Sequence, residues 1–65
     1  MTGVVTEFDD AAGLGAVTAN EGTTFPFHCT QIADGSRTIA VGTPVTFEVV
    51  PWHLGRYEAV ALSPA

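Results

Sequence analysis

The sequence predicts an all-β fold, five short antiparallel strands curled into a small barrel. Three observations carry that expectation. Val, Thr and Phe recur in short runs separated by Gly, Pro, Asp and Asn, the punctuation of strands and turns. Val45, Phe47 and Val49 alternate with Thr46 and Glu48, the period-two pattern of a half-buried strand. No window of roughly eleven residues carries apolar positions at helical spacing without a Gly or Pro interruption. Curling the sheet into a barrel removes the exposed edges that would otherwise endanger so short a chain.

Each element follows in order. Strand one is expected near Thr2 to Phe8, with a turn at Asp9-Asp10-Ala11-Ala12-Gly13. Asp and Gly there favour local hydrogen bonding and left-handed backbone. Strand two runs from about Leu14 to Ala19 and ends in Asn20-Glu21-Gly22, which has hairpin-turn chemistry. Strand three covers Thr24 to Cys29, with Phe25 and Phe27 facing inward. The long connection from Thr30 to Gly42 is expected to tuck Ile32, Ile39 and Val41 under the barrel. Strand four carries Val45, Phe47 and Val49 into the core. A Pro51-Trp52-His53-Leu54-Gly55 loop leads to strand five, Arg56 to Leu62.

Composition sets the limits. A chain of 65 residues makes one small domain, here spanning 1–65, and buries only about 60% of its unfolded surface. Its 46% apolar content marks it as globular, whereas 14% charged residues is well under the usual share of about 25%. Thr, Ser, Gly and small apolar side chains must therefore cover the surface. Seven carboxylates face two cations, Arg37 and Arg56, and lysine is absent. The net charge of −5 repels polyanions at long range and leaves any local anion site at most two fixed positive charges. A phosphate-cradling loop ending in Gly-Lys-Ser/Thr is excluded.

Cys29 is the sole cysteine, so no internal disulfide forms and a reducing cytoplasm is the expected compartment. No apolar run reaches membrane length, and Met1 to Glu7 lacks the basic and apolar regions of a signal peptide. The expectation is a complete, soluble, intracellular domain with no membrane partner.

Four segments together resemble a known family. They are Gly3-x-Val5-x-x-Phe8, Gly13-Leu14-Gly15-Ala16-Val17, Phe25-Pro26-Phe27-His28 and Gly42-x-x-Val45-x-Phe47-Glu48-Val49. In this order, across the whole chain, they resemble the bacterial cold-shock domain. The resemblance implies a five-stranded OB-type barrel that binds single-stranded DNA or RNA. In that family, bases stack on aromatics displayed from strands one to three, beside lysines that follow the backbone. Here the matching positions depart almost one by one. Glu7 stands where the family has Trp, after Thr6 in place of Lys. Leu14 and Ala16 replace the paired Phe of the first ribonucleoprotein motif, with Ala12 in place of its preceding Lys. Pro26 replaces the outward Phe of the second motif, and Cys29 the aromatic after the histidine. Phe8 and His28 remain.

The resemblance therefore implies a nucleic-acid-binding module with a degenerate platform and weak affinity. Its candidate contacts are Phe8, Leu14, Pro26, His28, Trp52, Arg56 and Tyr57. Trp52 and Tyr57 flank the loop between strands four and five, which OB folds commonly use for ligands, and only there do aromatics and a cation coincide. The alternative is an acidic barrel that has left nucleic acid for a protein partner. An enzyme is not expected, because no base, nucleophile and orienting group assemble from this inventory. Neighbours on a strand face opposite ways, so the His28 imidazole is not expected to reach the Cys29 thiol, which reads as a buried, inert side chain. His28, Cys29 and His53 lack the paired spacing of a zinc site, and no cofactor is implied. Glu7, Asp9 and Asp10 read as a solvated turn rather than a cation site.

Overall fold

The computed structural model describes residues 1–65. Five antiparallel strands form one sheet: β1 (Thr2–Asp9), β2 (Leu14–Ala19), β3 (Thr24–His28), β4 (Pro44–Pro51) and β5 (Tyr57–Pro64). Their order across the sheet is β3-β2-β1-β4-β5. The sheet curls so that β3 comes against β5. Just past β3, Ile32 bridges to Leu62 in parallel, and Ala33 N–H donates to the Leu62 carbonyl at 2.8 Å. This is the arrangement expected of a small OB-type barrel. Helix is confined to two single 3-10 turns, Cys29–Gln31 and His53–Gly55. No helix is long and apolar enough to cross a membrane.

The core is one cluster: Val5, Val17, Ala19, Phe27, Ile32, Val45, Phe47, Ala59 and Leu62. Every strand contributes, as the alternation of apolar residues requires. Two bulges reset that alternation. In β1, Val5 pairs with Val17 and Glu7 with Ala16, so Thr6 is the extra residue. Without it, Val5 and Glu7 would share a face; with it, Glu7 turns outward and Phe8 inward. In β5, Thr46 pairs with Ser63 and Glu48 with Val60. The offset lets Ala59 and Leu62, three residues apart, both reach the core, with Ala61 in the left-handed region at φ 54°.

Phe8 and Phe27 stack over Gly15, at a centroid separation of 6.0 Å and an interplanar angle of 9°. Gly15 is the Cα partner of both. A Cβ at Gly15 would lie 2.6 Å from Phe27 Cζ and 2.7 Å from the Glu7 carbonyl oxygen, so only glycine lets the rings meet.

Four expectations are corrected. Strand three ends at His28 rather than Cys29, because Cys29 opens a 3-10 turn. Strand five starts at Tyr57 and runs to Pro64, with Arg56 left outside it in the preceding turn. Val41 is 61% exposed, whereas Ile32 is buried and Ile39 packs on the core. The reason is turn geometry: Val41 sits in the tight turn closed by Thr43 N–H on the Ala40 carbonyl, beside Gly42 at φ 95°. Phe25 and Val49 are half-buried at the rim rather than enclosed.

Phe27 and Phe47 are each only 2% exposed. Truncating either to Ala is expected to cost about 3–5 kcal/mol, which rivals the whole stability of so small a core. Gly15→Ala is expected to cost about 1–3 kcal/mol by forcing the two rings apart. Denaturant melts measure all three; a wild-type midpoint for Phe47→Ala would mean that β4 is out of register by one residue.

Candidate functional site

The outer face of β1–β2–β3 is built from cross-strand rows. Thr6, Thr18 and Thr24 form the first, their hydroxyl oxygens 3.1 and 2.9 Å apart in sequence across the strands. Glu7, Ala16 and Pro26 form the second, and Asp9, Leu14 and His28 the third. Where stacking would need flat apolar surface, this face offers a hydroxyl ladder, a methyl group and two carboxylates.

Three adjoining grooves border it. The first, about 440 Å³, is lined by Glu7, Phe8, Asp9, Leu14, Gly15 and Ala16. Beside it, and sharing Leu14, is a cleft of about 310 Å³ between β3 and the β4–β5 loop. Pro26, His28, Trp52 and Glu58 are among its walls. The third, about 320 Å³, shares Pro26 with the second and has Phe25, Arg56 and Tyr57 in its lining. The seven candidate contacts thus fall along one path. Six lie in the second and third grooves. Phe8 lies only in the first, half-buried against Phe27, its ring turned in by the bulge rather than displayed beside Ala16.

The charge along this path is graded. Glu7 and Asp9 mark one end and Arg56 the other. Asp9 has a structural task as well: its carboxylate accepts from the Ala11 and Ala12 amides at 3.0 and 3.2 Å, which closes the β1–β2 turn. Asp10 accepts from the Thr38 hydroxyl at 2.9 Å and ties that turn to the long connection. Arg37 lines none of the three grooves; it stands in the long connection with φ 61°. In the same connection the Ser36 amide donates to Asp34 at 2.9 Å and holds that exposed carboxyl below its usual range.

At the β4–β5 loop, Trp52 is 42% and Tyr57 55% exposed, so neither is spent on covering the core. The His53 ring packs on Trp52 with centroids 4.3 Å apart and planes tilted by 48°. His28 caps the 3-10 turn: its Nδ1 accepts from the Thr30 amide at 3.4 Å and lies 3.1 Å from Thr30 Oγ1. The same turn carries the Cys29 sulfur to within 3.9 Å of Nδ1. The expected separation of imidazole and thiol fails here, because strand alternation stops at His28. Cys29 is half-buried, and its side chain packs on the core and over Gly13.

Glu58, Gln31 and Thr30 line the middle groove and were not among the sequence-based candidates. Their positions depend on β5 and the 3-10 turn closing over β3, and no local pattern in the sequence reports that contact. Compared with known families, residues 1–65 match the model described as the 'Cold-shock' DNA-binding domain, which spans the whole chain. No curated protein matches the chain.

Proposed function

The chain belongs to the cold-shock domain family, whose members generally bind nucleic acid, and we propose that it binds single strands weakly, over β3 and the β4–β5 loop. The observation that carries this reading is the convergence of Leu14, Pro26, His28, Trp52, Arg56 and Tyr57 on two grooves that meet at Pro26. Exposed Trp52 and Tyr57 supply π surface, Pro26 and Leu14 apolar contact, and Arg56 a phosphate partner. A base stacked on an aromatic contributes about 1–3 kcal/mol. Two such rings give a fraction of what a full aromatic face would give. The strand avoids β1–β2 because Glu7 and Asp9 repel phosphate there and Ala16 offers nothing to stack on.

A second reading has its own observation. The largest groove combines acidic walls, Glu7 and Asp9, with an apolar floor of Phe8, Leu14 and Ala16, which suits an acidic protein-interaction barrel. It becomes the first choice if single strands fail to bind.

Affinity for a thymidylate heptamer is expected in the high-micromolar range or weaker at physiological salt, given two stacking rings. Amide shifts in a 15N NMR titration should map to His28, Trp52 and Tyr57, with Glu7 and Asp9 little moved. Sub-micromolar binding, or a footprint centred on β1, would overturn the reading. With Arg56 as the only groove cation, log K should fall against log salt with a slope of about −0.7. Arg56→Gln should flatten it.

Rebuilding the outer face provides the complementary test. Glu7→Trp, Leu14→Phe and Ala16→Phe restore aromatics at positions matching the family's stacking residues, and all three point outward here. At about 1–3 kcal/mol each they should raise affinity at least about a hundredfold. A folded triple variant that gains less than about tenfold would show either that these surface positions are misassigned or that the acidic field dominates.

A further inference from the structure

Both imidazoles of the chain stand at or beside the middle groove. His28 lines it, and His53 packs on Trp52, which lines it too. Arg56 lies in the adjoining groove across Pro26. The one carboxylate in these two grooves is Glu58. With both imidazoles neutral, Arg56 and Glu58 cancel and these two grooves carry no formal charge. With both protonated, the grooves and the His53 ring beside them carry a net two positive charges.

We infer that strand binding at this site is proton-linked and strengthens as the pH falls from about 7.5 to about 5.5, the interval in which imidazole alone among ordinary side chains changes charge. This inference rests on the nucleic-acid reading above. The sign follows from linkage. Phosphate favours the imidazolium, so the complex holds more protons than the free protein, and lowering the pH pulls the equilibrium toward the complex.

The surroundings of each ring agree. Facing His28 are Leu14 from β2, Trp52 from the β4–β5 loop and Glu58 from β5, with Thr30 and Gln31 from its own 3-10 turn. The Cys29 thiol lies 3.9 Å from the His28 Nδ1. Asp9 lies one strand further across, opposite Leu14. Protonating Nδ1 exchanges the long 3.4 Å bond from the Thr30 amide for donation to Thr30 Oγ1 at 3.1 Å. The turn still holds through Ile32 N–H on the Cys29 carbonyl at 3.2 Å. His28 can therefore take up a proton without releasing the turn it caps, and Nε2–H remains for the strand. The His53 ring packs on Trp52 with centroids 4.3 Å apart. Arg56, whose amide donates to the His53 carbonyl, is the charged residue tied to the same turn.

The test is the same 15N titration with a thymidylate heptamer lacking terminal phosphates, at about pH 7.5 and about pH 5.5 and at two salt concentrations. Neither thymine nor the phosphodiester titrates in that range, so any change belongs to the protein. Wild type should bind at least about tenfold more tightly at the lower pH. Its salt slope should steepen from about −0.7 to about −2.1 as the cations in and beside the grooves rise from one to three. His28→Gln and His53→Gln should each remove about 0.7 of the acid-side slope, and the double variant should bind with no pH dependence. Wild-type binding that is equal at both pH values overturns the proton linkage alone; absence of binding at both overturns the nucleic-acid reading itself. Should His28→Gln fail to fold, the ring C–H resonances of the wild type decide: added heptamer must raise both histidine midpoints, and unmoved midpoints overturn the proposal.

Discussion

The extra residue at Thr6 determines which side of the first strand faces the core, and the rest of the molecule depends on that choice. A regular β1 would aim Val5 and Glu7 to the same side and bury a carboxylate without a partner, at a cost of several kcal/mol. The bulge places Val5 and Phe8 inside and Glu7 outside. Phe8 can then lie on Phe27 over Gly15, so the three strands that carry the outer face are locked together from below. The Thr6 hydroxyl secures the irregularity from above, near Thr18 Oγ1 and the Ala16 carbonyl.

That locking separates the scaffold from the chemistry displayed on it. Phe27, Phe47 and the buried valines fix the sheet whatever stands at positions 7, 14, 16 and 26, because those side chains lie on the opposite face. Carboxylate, leucine, alanine and proline are tolerated where flat rings would serve stacking. A fold can thus persist while the function of one face changes. The surface of the β4–β5 loop has different limits: Leu54 is held at φ 58° and points away from the barrel, 89% exposed. Beside it, Trp52 and Tyr57 keep their π surfaces available.

The number and approximate extent of the strands, and part of the core, were legible in the sequence because they follow from local periodicity. Phe27 and Phe47 have strict period-two neighbours, and both are buried. What was not legible required knowledge of a partner. The bulges in β1 and β5 appear only once pairing is known, since alternation alone cannot place the skipped residue. Val41 looked like a core residue because it is apolar, yet the Ala40–Thr43 turn holds it in solvent. Cys29 was read with strand geometry one residue too far, and the 3-10 turn brought sulfur and imidazole to one side. Trp52, Arg56 and Tyr57 could be named from composition, but their meeting with Pro26 and Glu58 depends on β5 closing against β3.

Pro26 explains why that meeting place lies at the sheet edge. β3 has β2 on one side and no ladder partner on the other. An unpaired edge amide would need water or a partner, and a ladder of them invites another strand. Proline has no N–H to leave unpaired, and edge strands are where it fits. Its ring also presents a rigid apolar surface shared by the two grooves, between Trp52 on one side and Tyr57 with Arg56 on the other. Phenylalanine there would stack better but would leave the edge amide in place. Proline thus trades stacking surface on β3 for a protected edge. The remaining exposed aromatic surface is then on the β4–β5 loop, at Trp52 and Tyr57.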